Sequence, residues 1–445
     1  MNSELLSRAE DAVRRALALG ATAADAVVIA SDSTDVSVRD GKVEGLERSH
    51  SLDLGLRAFI GQSSAVVAGS ILDEAGLTRL SERAVAMARA APPNPHAGLA
   101  PPGEFAADWP ELDLASADEL SSAQLTHMAK AAEQAGLSVA GVSKSSGASA
   151  STSARSAALV TSAGFAGQYR RSGHVVSASM IAGEGTGMER DYDYHSAVHF
   201  EDLDPPDQIG RTAGERAARR LKPRKLASQK VPVIFDRRVA SSLVGHLTSA
   251  ILGSSIARGT SFLKDKLGEQ VFAGGIAIRD DPHRLRGLAS RPFDGEGLSS
   301  APRDIIADGR LLTWLTDLQS AHQLGLKSTG HASRGTSSSP SPSSSNVHLL
   351  PGTVNLQHLI RDLNRGFYVT ELIGSGANMV TGDYSRGASG FWIEGGEIAF
   401  PVSEVTLAGH LLDMFRSLTP ASDLRFRAGI NAPSCRVEGL TLAGV

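Results

Sequence analysis

The stretch LVGHLTSAILG, residues 243–253, places a histidine near the edge of an apolar helical stripe. A hydrolytic zinc site on such a helix needs two imidazoles pointing one way. It also needs a carboxylate to take the proton from a metal-bound water. His246 supplies one imidazole. Leu247 follows it, and Ala250 and Ile251 occupy the places where a second histidine would fall. Hydrocarbon side chains neither ligate zinc nor act as bases. The local pattern therefore predicts a half-buried histidine bonded to backbone, or one that touches a substrate or a partner.

Other reactive residues are sparser. His195 and His199, in HSAVH, have the one HxxxH spacing in the chain. Their surroundings alternate polar with aromatic or apolar residues, which reads as a strand. Residues four apart on a strand are about 13 Å apart, too far to chelate one metal. Cys435 is the single cysteine. No histidine base lies near it in sequence, so it reads as a small buried hydrophobe. GEGTG (183–187) and GSGAN (374–378) lack the Lys-Ser/Thr of a phosphate loop and read as turns. ERAARRLKPRK (215–225) reads as a solvated helix face and connector. STGHASRGTSSSPSPSSSN (328–346) is low in complexity and cannot fill a core, which leaves a mobile connector or a cover over a groove.

These residues need positioning elements, and the pattern predicts an α+β fold. Residues 4–19 carry one apolar helical face ended by Gly20. Residues 25–72 read as a β-meander with a hairpin turn at Asp40-Gly41. Residues 77–90 read as helix. After a Pro-rich linker, 91–112, the pattern returns. A capping box at Ser116-x-x-Glu119 is expected to open a helix to Ala135, strands to fill 138–200, and a third helix to run from Asp204-Pro205 to Leu221. We therefore expect an N-terminal domain over 1–228, with halves 1–90 and 113–228 as an internal repeat. A β-rich domain with a few helices then covers 229–445. It opens with the strand VPVIF (231–235) and a helix over 236–253, and it has hairpin turns at Asp308-Gly309 and Gly395-Gly396.

Composition narrows the function classes. The chain has 445 residues with a formal charge of −4, which argues against a dedicated nucleic-acid binder. One cysteine fits a reducing compartment, and no apolar run reaches the ~20 residues that span a bilayer. A cytoplasmic location is the expectation.

Longer motifs carry a resemblance. RPFDGEGL (291–298), LGLKSTGHASRG (324–335), PSPSSSN (340–346), the run from VTELIGSGANMVTGDYSRG to LAGHLLDM (369–414) and VEGLTLAG (437–444) together resemble the TldD/PmbA family, also described as modulators of DNA gyrase. VRDGKVE (38–44) and MERDYDY (188–194) agree with it. The resemblance implies two branches. TldD carries HExxxH and is a zinc peptidase acting on extended or unfolded peptides. PmbA, also called TldE, lacks that motif and pairs with TldD. This chain resembles the second branch, with His246 at the first histidine, Leu247 at the base glutamate and Ile251 at the second histidine.

Five residues along a regular helix turn ~140°, so the active branch must distort its helix. With no ligand pair to reward distortion, a more regular helix is expected here. The resemblance implies no catalytic residue, metal or cofactor in this chain, zinc belonging only to a TldD-type partner. Candidate contacts to substrate or partner, on the degenerate helix and the Ser-rich loop, are His246, Leu247, Ile251, His331, Arg334 and Asn346. Two alternatives stand beside this reading. One is a stand-alone peptide-binding homodimer. The other is an independent peptidase built from His246, His331, His410 or Cys435.

Overall fold

The computed structural model describes residues 2–117, 119–374 and 376–444. Its first half is helix, three strands, helix, made twice. The first set is α1 (Asn2–Ala18), β1 (Ala23–Arg39), β2 (Lys42–Ile60), β3 (Ser63–Gly69) and α2 (Glu74–Ala90). The second is α3 (Ser122–Leu137), β4 (Val142–Thr161), β5 (Ala166–Ala182), β6 (Glu189–Ala197) and α4 (Pro206–Arg219). The two meanders join through their first strands into one antiparallel sheet, ordered β3-β2-β1-β4-β5-β6.

Strand side chains alternate between faces, so one strand can serve two cores. On β1, Ala24, Ala26, Val28, Val36 and Val38 face the four helices. Val27 and Ile29 point the other way and pack with Leu159, Phe165 and Phe293, the last of these from the second half of the chain. The sheet is thus a wall with its own helices on one side and the C-terminal half on the other.

The C-terminal half begins with β7 (Gln229–Phe235) and α5 (Arg237–Ala250). Its main strands are β7, β8 (Arg365–Ile373), β9 (Asp383–Glu394), β10 (Glu397–His410) and β11 (Cys435–Ala443). They run β10-β9-β8-β7-β11, and β10 pairs back onto β11 through Leu407 and Leu442, closing a small barrel. Only β7 and β8 are parallel neighbours in that ring. A second sheet of short strands, including Ile278–Asp280, Arg303–Ala307 and Val347–Leu349, flanks it. The fold is α+β. All three predicted hairpin turns have two consecutive positive φ angles: Asp40-Gly41, Asp308-Gly309 and Gly395-Gly396. No helix of the described residues is long and apolar enough to cross a membrane.

Three expectations are corrected. The capping box belongs to Ser121 and Gln124, so α3 starts at Ser122. Ser116 is instead tied to β5, where its N–H donates to the Ser172 hydroxyl at 2.7 Å. The helix expected over 236–253 ends at Ala250, with Ile251 as its cap at φ −100°. The Ser-rich segment, expected to stay out of the core, is anchored in the interior at His331, Ala332, Pro340, Pro342, Ser345 and Asn346, while Ser333, Ser337, Ser338, Ser339 and Ser341 stay exposed.

Candidate functional site

Helix α5 has two faces with different fates. Asp236 caps it, accepting from the Arg238 N–H at 2.9 Å. Ala240, Leu243, Val244, Leu247 and Ala250 form the stripe that seals the barrel. The opposite face presents Ser242, Gly245, His246 and Ser249 to a groove of about 420 Å³. Its far wall is Pro342, Ser343, Ser344 and Ile430. The Ser-rich segment is therefore one bank of this groove, held by bonds behind it. Ser343 donates its N–H to the His331 carbonyl at 2.8 Å, and Ser345 donates through N–H and hydroxyl to Asp280, both at 2.7 Å.

Of the six residues expected to make contacts, His246 alone lines this groove. Its ring meets Tyr384 edge-on at 5.9 Å. Its Nε2 is buried with no hydrogen-bond partner, so the backbone bond expected for a structural histidine is not made at that atom. Burial, and then the Arg386 guanidinium, lower its pKa to about 4. The imidazole is neutral near neutral pH.

The other five have different surroundings. Leu247 and Ile251 have no exposed surface and are core. His331 is fully buried, with Nε2 3.0 Å from Asp280 Oδ2 and Nδ1 2.8 Å from the Thr329 carbonyl. Arg334 crosses to the N-terminal sheet and pairs with Asp25, which also holds Arg57. Asn346 donates to the Asp281 carbonyl and the Ser290 hydroxyl, both at 2.7 Å, and accepts from the Ala289 N–H at 2.9 Å. These three polar residues lock the segment and the two halves together.

Other reactive residues stay apart. His195 accepts from the Asp204 N–H at 2.9 Å, while His199 Nε2 lies 2.9 Å from the Asp113 carbonyl. His410 Nε2 meets the Thr381 carbonyl at 2.8 Å. Cys435 is fully buried, its thiol bonds the Pro433 carbonyl at 3.2 Å, and burial pushes its pKa well up.

The residues do not fit a zinc ion. His246 is one nitrogen donor beside an arginine, and the two flanking motif positions are hydrocarbon in the core. Among the described residues no three His, Cys, Asp or Glu side chains converge. What the groove offers is recognition. A separate hollow, which shares Ile430 with the groove, is lined by residues that include Tyr192, Tyr194, Arg237, Arg425 and Asn431. The two tyrosines are exposed and stacked at 6.2 Å. Sequence reading missed Tyr384 and Arg386 as neighbours of His246, although both lie inside the quoted GDYSRG motif.

Comparison with known proteins agrees with this architecture. Residues 24–88, 115–221 and 228–444 match, in turn, PmbA/TldA metallopeptidase domain 1, its central domain and its C-terminal domain. The Metalloprotease PmbA of Escherichia coli O157:H7 is 38% identical over 440 residues, 98% of this chain and 96% of that one. A Metalloprotease PmbA homolog of Haemophilus influenzae is 36% identical over 447 residues, 99% of this chain and 96% of that one. A crystal structure from Bacteroides thetaiotaomicron, of a protein named for modulation of DNA gyrase, superposes with a TM-score of 0.91. It is 28% identical and covers 99% of this chain and 98% of that one. TldE of Thermococcus kodakarensis shares the fold, with a TM-score of 0.87 at 19% identity over 98% of this chain and 100% of that one. The three-part match over most of the chain, and relatives aligned almost end to end, place this protein in the PmbA/TldD metallopeptidase family.

Proposed function

We propose that this chain is a non-catalytic subunit of a TldD/TldE-type cytoplasmic peptidase complex. Its partner is a TldD-type zinc peptidase, and its own work is to hold unfolded or extended peptide beside that centre. One observation carries the reading. At the motif helix, the positions of the base and the second metal ligand are Leu247 and Ile251, both without exposed surface, while His246 faces the groove alone. A groove walled by serines and a neutral imidazole, with exposed tyrosines in the neighbouring hollow, suits an extended chain. Such a chain carries backbone amides and apolar side chains that want hydrogen bonds and aromatic faces.

Metal analysis of the purified chain, run beside a cleavage assay on an unfolded peptide, tests this. The expected result is less than about a tenth of an equivalent of zinc and no cleavage alone, with cleavage once a TldD-type protein is added. Near one equivalent of zinc with chelator-sensitive cleavage by the chain alone overturns it. Peptide binding without any gain from a TldD-type protein favours the stand-alone homodimer instead.

A further inference from the structure

The seam between the N-terminal sheet and the C-terminal half holds a second cavity, away from the α5 groove. It occupies about 170 Å³, room for a few water molecules or one small anion. The face of the sheet without helices forms its floor. Segments 291–295 and 332–334 form its roof. Four arginines line it, Arg155, Arg171, Arg291 and Arg334, against a single carboxylate, Asp294.

The charges there are not balanced from within. Arg155 and Arg171 stand directly opposite each other on β4 and β5. Like charges at directly opposed strand positions repel. No acidic side chain of the described residues forms an ion pair with Arg155, Arg171 or Arg291; those present are with other arginines, lysines and histidines. Arg171 spends its Nη2 on the Gly287 and Leu288 carbonyls. Burial, with Arg155 beside it, draws Arg171 below the usual guanidinium value.

Arg334 adds a third guanidinium, enclosed behind the cavity wall. Its side chain is 1% exposed. One nitrogen pairs with Asp25, but Nε and Nη2 are buried with no partner. Arg291 Nε is likewise buried and unpartnered. Asp294 cannot serve these donors freely. Its Oδ1 already accepts the Glu296 and Leu298 N–H groups, both at 2.9 Å, and its Oδ2 accepts the Ala332 N–H at 3.0 Å. These enclosed nitrogens have almost no surface open to the cavity; the guanidinium groups that can meet an oxyanion there are those of Arg155 and Arg171, which line it without an acidic partner and match oxyanion geometry. Tyr169 also lines the cavity, and the Arg155 side chain is exposed.

We propose that this cavity is an oxyanion-binding site, taking one small carboxylate or phosphate group between the two halves of the chain. It is separate from the peptide groove, and its success or failure does not depend on the function proposed above.

Thermal unfolding of the full chain at constant ionic strength, balanced with sodium chloride, is the test. The probes are inorganic phosphate, N-acetylglycine, and N-acetylglycinamide as the uncharged control. A saturable rise in Tm with phosphate alone identifies a phosphate-type ligand. A rise with N-acetylglycine but not its amide identifies a carboxylate such as a peptide C-terminus. Arg155→Gln, which removes one of the two opposed charges at an exposed side chain, is expected to hold or raise the unliganded Tm and to weaken anion binding by about tenfold or more, with Arg155→Lys in between. The absence of a saturable rise from either anion overturns the site. So does a rise that Arg155→Gln leaves intact.

Discussion

The α5 groove and the bonded part of the seam, at Asp25, His331 and Asn346, treat their polar residues in opposite ways, while Arg334 beside them keeps two unpartnered nitrogens. In the groove, His246 is half-buried, neutral and unpartnered at Nε2. In the seam, Asp25 is held between Arg57 and Arg334, and His331 and Asn346 are bonded on every side that faces them. Burial would raise the Asp25 carboxyl, but the two guanidinium groups outweigh it and hold the carboxyl below its usual value. The serine bank of the groove and Arg334 of the seam both lie in stretches that carry the family resemblance. The difference shows that a shared motif can mark assembly as readily as chemistry. A residue with all its bonds made is committed to the fold, and a residue with one left open is available to something else.

The largest effect is expected at the seam. Asp25→Ala leaves two buried guanidinium groups without their acid and should cost about 3–5 kcal/mol in urea unfolding. A loss below about 1 kcal/mol would mean that the seam is solvated and the contrast false. Next, Leu247→Ala should cost about 2–5 kcal/mol, as a cavity in the barrel core. His246→Ala, one residue away, should cost clearly less and reduce peptide binding instead. Equal stability losses would make His246 core, and the groove reading would fall.

The smallest effect is a pH dependence. The folded value of His246, about 4, lies below the ordinary 6.5, so the unfolded chain binds more protons between those limits. Its contribution to stability is full above about 6.5 and is lost as pH falls towards about 4. The urea midpoint of His246→Gln should therefore drop less between pH 7 and pH 5 than that of the parent. Identical drops would place the imidazole in solvent.

Much of the framework was legible because its signals are local. Two-residue alternation marked the strands, and Asx-Gly or Gly-Gly pairs marked turns that need two positive φ angles. The helix-meander-helix pattern was visible twice. The misplaced capping box has a local competitor: Ser116 fits the motif, but its N–H is used by Ser172 on the sheet edge, and Ser121 with Gln124 caps α3 instead. The composition of the Ser-rich segment left two readings open, a connector or a groove cover, and did not reveal its anchoring. Serines cannot build an apolar core, yet Ser345 reaches Asp280 with both donors, and small side chains let the segment thread between sheets.

At the candidate site, local pattern showed that the helix itself offers His246 no second ligand, since Leu247 and Ile251 are hydrocarbon. It also supplied the periodicity of α5 and the order of the motifs that mark the family. It could not say that Arg334 would meet Asp25, 309 positions away, or that Arg155 and Arg171 would line a cavity with Arg291. Strand alternation fixes which face of a sheet a side chain takes. What packs on that face depends on how distant segments close over it, and only the folded chain holds that information. Whether a polar group ends as structural glue or an open site follows from whether that closure brings it a partner.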